Sequence, residues 1–435
     1  MASDRQDGIA SVRAQQIIDC KCRPAVEVEV CTESGAIGRG AAPTGTSVGM
    51  HESFVLRDGD PSTYEGLSVH KAVHKATDVI GPALLGMNVF DQRAIDHRMI
   101  QLDGTPNKRN LGGNTIYSVS IATFRAAAAA LNVPLYDYIA GGNIQTVPVP
   151  CFNIVNGGRY EQLTQAFNEF LIVPYGTDSV DFAIEMAVAV FRKLGEVLTS
   201  YLGHKPHVAS SYGYAAPSDD PAVVLGLMQQ AIDACGYTGR IAFALDCASS
   251  EIYDAQTRTY LLKGKRISSD ELIAYARSLT ETFDLVFIED LLDENDWSGF
   301  PKAVQEIPRT IILGDDLTVT NAGLLQKAFE TRAIGGFVLK PNQVGTVTEA
   351  LDAYYLAQKH GIIAVPSGRS GGVVDDVVMD FSVGLQVPFQ KNGAPRSGER
   401  IEKLNFLMRA NARSPGCHLY DISNLLRFGR DASAA

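Results

Sequence analysis

From about Val147 onward, short apolar runs alternate with longer amphipathic stretches. The runs at residues 241–245, 285–288, 310–313, 336–339 and 362–365 begin about 25 to 45 residues apart, the spacing of repeated βα units. A parallel barrel is the natural closure of such a rhythm. What stands at the end of each run narrows the reading further: Asp246, Glu289 with Asp290, Asp315 with Asp316, Lys340 and, a few residues on, Arg369. Barrel enzymes build their sites from the C-terminal ends of their strands. A lone charge there marks only the return to solvent, but five successive strands delivering ionisable groups to one mouth make a set.

The first part of the chain has a different texture. Val26-Glu27-Val28-Glu29-Val30 alternates with period two, a half-buried strand, and 35–40 reads as the turn into an antiparallel neighbour. Helical spacing follows over 69–85, 91–101 and 114–131, the last opening on Asn114 as a cap. This part therefore reads as α+β. With 46% hydrophobic and 20% charged residues among 435, the composition is that of a globular protein rather than a disordered one. Lys and Arg number 38 against 49 Asp and Glu, a net charge of −11 that offers no footprint for nucleic acid or an anionic membrane. No apolar run approaches a membrane span, and the polar start is unlike a signal peptide, so a cytoplasmic protein is expected. The seven cysteines are scattered without CxxC pairs, the pattern of reduced structural thiols.

Three carboxylates, Asp246, Glu289 and Asp315, brought together without a cation would raise one another's pKa values. A divalent ion resolves the repulsion, and an oxygen-only set points to Mg²⁺ or Mn²⁺ rather than zinc. The bland alternative is a set of helix caps or solvated loop acids, and Asp290 and Asp316 fit it equally well. Lys340 leaves an apolar run beside this set, where burial and a neighbouring cation would lower its pKa and make it a base. Lys391, ending the run Phe389-Gln390, is placed to hold a substrate carboxylate, or else is a snorkelling surface lysine.

Many ordered stretches carry a family resemblance. They include 43–50 with His51-Glu52, Leu56-Arg57-Asp58-Gly59-Asp60, Phe152-Asn153-Ile154-Val155-Asn156-Gly157-Gly158, Glu169-Phe170, Leu245-Asp246, Ile288-Glu289-Asp290, 314–321 and Leu339-Lys340. Over nearly its whole length the chain resembles the enolases. That resemblance implies an N-terminal α+β capping domain, 1–142, followed by an enolase-type (β/α)8 TIM barrel, 143–435, in an α/β protein that forms a homodimer or a higher assembly. It assigns Asp246, Glu289 and Asp315 to Mg²⁺, Lys340 to removal of the proton α to a carboxylate, and Lys391 to the second catalytic lysine. Arg369 and Ser370 match substrate-phosphate contacts, Ser47 lies in a loop that closes with a second Mg²⁺, and Glu169 is one of two glutamates flanking a leaving hydroxyl. The implied substrate is 2-phosphoglycerate or a related phosphorylated or phosphonylated acid, and a lysine base with one or two Mg²⁺ stabilising an enediolate is the general pattern of that superfamily.

The sequence leaves the family on one side of the site. The second glutamate falls at Ser211, within Ser210-Ser211-Tyr212-Gly213-Tyr214. A histidine gives way to Gly368, and another is shifted or replaced within Arg159-Tyr160. A serine cannot protonate a departing hydroxyl as a carboxylic acid does, and losing a general acid costs about 10²–10⁴-fold in rate. Tyr160 and Tyr212 are the candidate replacements, and Gly368 leaves room for a larger substituent. The altered leaving-group side also resembles the enolase-like enzymes of phosphonate antibiotic biosynthesis, carboxyphosphonoenolpyruvate synthase among them, which is the second reading. A non-catalytic enolase-fold binding protein is a third, tested by whether Mg²⁺ and substrate analogues bind at all. The fourth is a serine hydrolase, since Gly368-Arg369-Ser370-Gly371-Gly372 formally fits G-x-S-x-G with Asp376 and His418 downstream.

Overall fold

The computed structural model describes residues 5–45, 49–158 and 165–428. Ser47 and Tyr160 lie outside them.

Three antiparallel strands, β1 (Ile9–Ile18), β2 (Pro24–Thr32) and β3 (Ile37–Ala41), form the first sheet with β2 central. The alternation in β2 is realised as read: Val26, Val28 and Val30 are fully buried. The expected turn over 35–40 is shorter, because Ile37 already pairs with Cys31. Gly38 and Gly40 are strand residues, and a Cβ on Gly38 would stand 2.1 Å from Ala122 O. These glycines let helix α2 (Gly113–Ala130) lie directly on the sheet. Asn114 is not its cap. The helix begins earlier, from Gly112 at φ 93°, and Asn114 Oδ1 instead accepts from Leu56 N at 2.8 Å. The helical stretch before it, His70 to Leu84, is interrupted by a π turn over Lys75–Ile80.

The second sheet curls into a barrel from β4 (Val149–Asn156), β5 (Glu169–Pro174), β6 (Ile241–Asp246), β7 (Leu285–Glu289), β8 (Ile311–Gly314), β9 (Gly336–Leu339), β10 (Ile363–Pro366) and β11 (Phe389–Lys391). The order around it is β10-β9-β8-β7-β6-β5-β4-β11, and a bridge between Ser367 and Lys391 closes the ring. Its strands are nearly all buried, as a sheet covered on both faces requires. One strand breaks the parallel pattern: β5 runs antiparallel to both neighbours. Among the described residues no helix is long and apolar enough to cross a membrane, and all seven cysteines are unpaired.

The two parts join through a buried carboxylate. Asp96, on α1 (Gln92–Asp103), accepts from Ser120 Oγ of α2 at 2.6 Å and from Thr348 N at 2.9 Å, at the start of α3 (Val347–Lys359) beside the barrel. Burial pushes its pKa up to about 6 despite these bonds. A carboxyl whose folded pKa lies above its ordinary 3.8 contributes stability at low pH that is lost as pH rises through about 6. The interval is worth about 3 kcal/mol. Denaturant titrations of the parent and Asp96→Asn from pH 4 to 8 should show the difference moving in the variant's favour by about that amount, levelling off above pH 7. A flat difference would mean the carboxyl is not held neutral.

Candidate functional site

The ionisable groups expected at one mouth are found there. Glu169, Asp246, Asp315, Lys340, Arg369, Ser370 and Lys391 line a single cavity of about 530 Å³ including its opening. Glu289 lies just beneath, fully buried. Glu169 reaches the mouth for a reason no local pattern shows. It opens the antiparallel strand β5, so its start lies beside the end of its neighbour, and Glu169 pairs in register with Asp246.

Two lysines organise the charge. Lys391 Nζ donates to Asp246 Oδ2 at 3.2 Å and to Glu289 Oε2 at 2.5 Å, and is ion-paired with Glu169 Oε2 at 3.2 Å. Lys340 Nζ is paired with Asp315. Burial alone would lower Lys391, but Asp246, Glu289 and Glu169 hold it well above the ordinary lysine value. Burial and mutual repulsion raise Glu289 well above its usual range, and Asp246 moves the same way. One ammonium does not compensate three buried carboxylates. The lowering expected for Lys340 is reversed: burial, the largest single influence, lowers its pKa, but the surrounding carboxylates, Asp315 foremost and Glu289 with it, together raise it. Only a cation taking up the charge of those carboxylates would work in the expected direction.

The expected ligands do not gather into one tight triad. Among the described residues, the carboxylates whose oxygens lie within 4.8 Å of one another are Asp290, Asp315 and Asp316. Asp246 and Glu289 are drawn onto Lys391 instead, and Asp315 onto Lys340. Asp290 is neither a helix cap nor a solvated acid. It is buried, and its Oδ1 and Oδ2 accept from Asp315 N at 2.9 Å and Asp316 N at 2.8 Å, fixing the loop after β8. Asp316 is pushed up to about 8 by burial and by Asp315. Oxygen donors in excess of their ammonium partners, with Glu289 Oε1 buried and unpartnered, suit a hard divalent ion.

Several supports escaped the sequence reading. Gln343 Nε2 donates to Asp315 Oδ1 at 2.9 Å, and Thr320 Oγ1 donates to Gln343 Oε1 at 3.1 Å. Thr320 and Val319 both hold positive φ, 56° and 39°, a costly conformation for β-branched residues that is concentrated at functional sites. From the first domain, Glu52 grips Arg369 with both oxygens, at 2.8 and 3.1 Å, each side chain 5% exposed. Glu52 stood in a matched stretch without a role. Only its partner, far away in sequence, reveals one.

On the divergent side, Ser211 is buried and lines a second chamber adjoining the first. Tyr212 is bonded elsewhere. Its hydroxyl donates to Cys20 O at 2.5 Å, and its ring lies under the Arg400 guanidinium at 4.8 Å. Tyr214 stacks on Phe191, remote from a proton-donor role. The hydrolase triad is also overturned. Ser370 faces the mouth, but exposed His418 pairs with Thr146, which precedes the start of β4 at the opposite end of the barrel, and its ring contacts Gly416 O. Asp376 is buried and accepts from Val378 N rather than from a histidine.

A capped eight-stranded barrel with acids and lysines from successive strand ends defines an enzyme of the α/β-barrel class. Residues 144–421 match the family model of the enolase C-terminal TIM barrel domain, and 9–139 that of the enolase N-terminal domain. The chain is 40% identical over 407 residues to the enolase of Methanococcus aeolicus, covering 93% of this chain and 95% of that protein. It is 41% identical over 405 residues to the enolase of Methanopyrus kandleri, covering 92% and 95%. The enolase of Methanothrix thermoacetophila is 40% identical over 402 residues, again covering 92% and 95%. The chain belongs to the enolase family, and with it to the enolase-type lyases.

Proposed function

We propose that the protein is a Mg²⁺-dependent lyase that removes the proton α to the carboxylate of 2-phosphoglycerate or a close phosphorylated acid, residues 1–142 capping a catalytic barrel of 143–435. The observation that carries this reading is the pairing of two buried lysines with carboxylates from successive strand ends inside one enclosed mouth. Asp246, Glu289 and Asp315 would hold the ion, whose charge, when bound, favours the developing anion on the substrate carboxylate. Lys340 takes the α-proton at Nζ, once the charge of Asp315 is no longer directed at it. Lys391 stays protonated and fixes the substrate carboxylate. Arg369, oriented by Glu52, and Ser370 bind the phosphate. Glu169 remains on the leaving-group side, while Ser211 supplies no acid.

This division of labour predicts that the two halves of the reaction come apart. In deuterated water with Mg²⁺ and 2-phosphoglycerate, the α-proton should exchange about 10²–10⁴-fold faster than phosphoenolpyruvate forms. Nuclear magnetic resonance follows both in one sample. Absence of exchange with Mg²⁺ present would remove the reading.

A further inference from the structure

We infer that the chamber behind Gly368 is a second oxyanion subsite, so that the substrate complex carries an anionic group beyond the phosphate and carboxylate of a three-carbon acid. This rests on the reading above, because the chamber opens onto the same site: Glu169, Ser367, Arg369 and Lys391 line both cavities. It encloses about 350 Å³ including its mouth, with Ser211, Asn153, Asn392, Arg400 and Lys403 completing its wall.

Three features fit an oxyanion. Of the four cations in the lining, Arg369 is held by Glu52 and Lys391 by Asp246, Glu289 and Glu169, which leaves Arg400 and Lys403 as the cations not committed to the catalytic acids. Arg400 and Lys403, on α4 (Gly398–Arg413), are only 4% and 5% exposed, and burial of charge at that depth demands compensation. Glu399 receives bonds from both, and Asp376, outside the lining, lies close to Lys403 as well. The second feature is a donor without an acceptor. Asn153 Oδ1 accepts from Asn156 Nδ2 at 3.0 Å, which fixes the amide, and its buried Nδ2 has no partner. The third is the space itself. A Cβ on residue 368 would stand 2.5 Å from Lys403 Nζ, so glycine keeps the ammonium accessible, and Ser211, also in the lining, is a short side chain.

A carboxylate or phosphonate oxygen meets the chemistry of this wall, carried either on the substrate itself or by a separate small anion bound beside it. Two probes distinguish these sources. The first is methylphosphonate, titrated by calorimetry into protein saturated with Mg²⁺ and 2-phosphoglycerate. The second is 2-phosphotartrate, which is 2-phosphoglycerate with a carboxylate on carbon 3. Binding of methylphosphonate to the loaded protein assigns a separate reactant, and 2-phosphotartrate binding about 10-fold or more tighter than 2-phosphoglycerate assigns a group on the same molecule. In either case Gly368→Ala, which presses on the Lys403 ammonium, and Lys403→Met should each cut the gain about 10-fold or more. Where Lys403→Met does not fold, Gly368→Ala decides. The subsite is overturned if neither probe shows a gain, or if Gly368→Ala leaves the gain intact. Exchange of the 2-phosphoglycerate α-proton by the parent, measured in the same samples, separates the two levels: exchange without a gain sinks the subsite alone, and no exchange sinks the underlying reading together with it.

Discussion

Lys340→Ala should lose exchange of the 2-phosphoglycerate α-proton by about 10²–10⁴-fold, the range for removal of a positioned acid–base group. The expectation follows from where the amine sits. Lys340 follows β9 directly, its backbone N–H donates to Thr320 Oγ1 at 2.8 Å, and its ammonium is buried against Asp315. A second substitution separates base from charge. Arginine keeps the positive charge beside Asp315 but does not give up its proton near neutral pH. Lys340→Arg should therefore lose exchange as deeply as alanine does, while retaining more of the metal-free stability, because Asp315 keeps a cationic partner. Proton exchange followed by nuclear magnetic resonance and denaturant midpoints measure the two effects independently. Exchange at the parent rate in Lys340→Ala would overturn the assignment of the base.

Much of this site is legible in the sequence because barrel strands advertise themselves twice, as an apolar run and as the polar residue that ends it. Asp246, Glu289, Asp315 and Lys340 are found that way, each within one residue of a strand end. What the strand-end pattern misses is whatever depends on a partner distant in the chain, although the family resemblance names Glu169. Glu169 begins its strand rather than ending it, and only the antiparallel register of β5 brings it beside Asp246. Glu52 belongs to the first domain and acquires its role from Arg369, 317 residues away. The direction of the Lys340 shift is a similar failure. A pattern shows that acids and lysines share a mouth, but the sign of a shift depends on which acids surround each lysine, and for Lys340 Asp315 and Glu289 together overcome the lowering by burial. Its place in the divergent cluster makes Tyr212 a candidate proton donor, but its hydroxyl is committed to Cys20 O.

The larger structural effect belongs to Lys391→Met. Its ammonium touches Asp246, Glu289 and Glu169, and the lysine and Glu289 side chains are 6% and 0% exposed. Methionine fills a similar volume without charge, leaving three acids in a buried space with no positive partner at their centre. Removing one member of a buried ionic group costs about 3–5 kcal/mol, because the remaining charges stay uncompensated. Metal-free Lys391→Met should lose that much stability. Added Mg²⁺ should then restore more stability to the variant than it gives the parent, since in the parent the ion competes with an ammonium for the same oxygens and in the variant it does not. Activity should not return with stability, because the substrate carboxylate has lost its fixed positive partner. Denaturant midpoints of both proteins, with and without Mg²⁺, test the first two statements, and exchange of the α-proton tests the third. Equal Mg²⁺ stabilisation of parent and variant would show that the ion does not share the oxygens of Asp246 and Glu289 with Lys391, and would move the metal toward the tighter cluster of Asp290, Asp315 and Asp316.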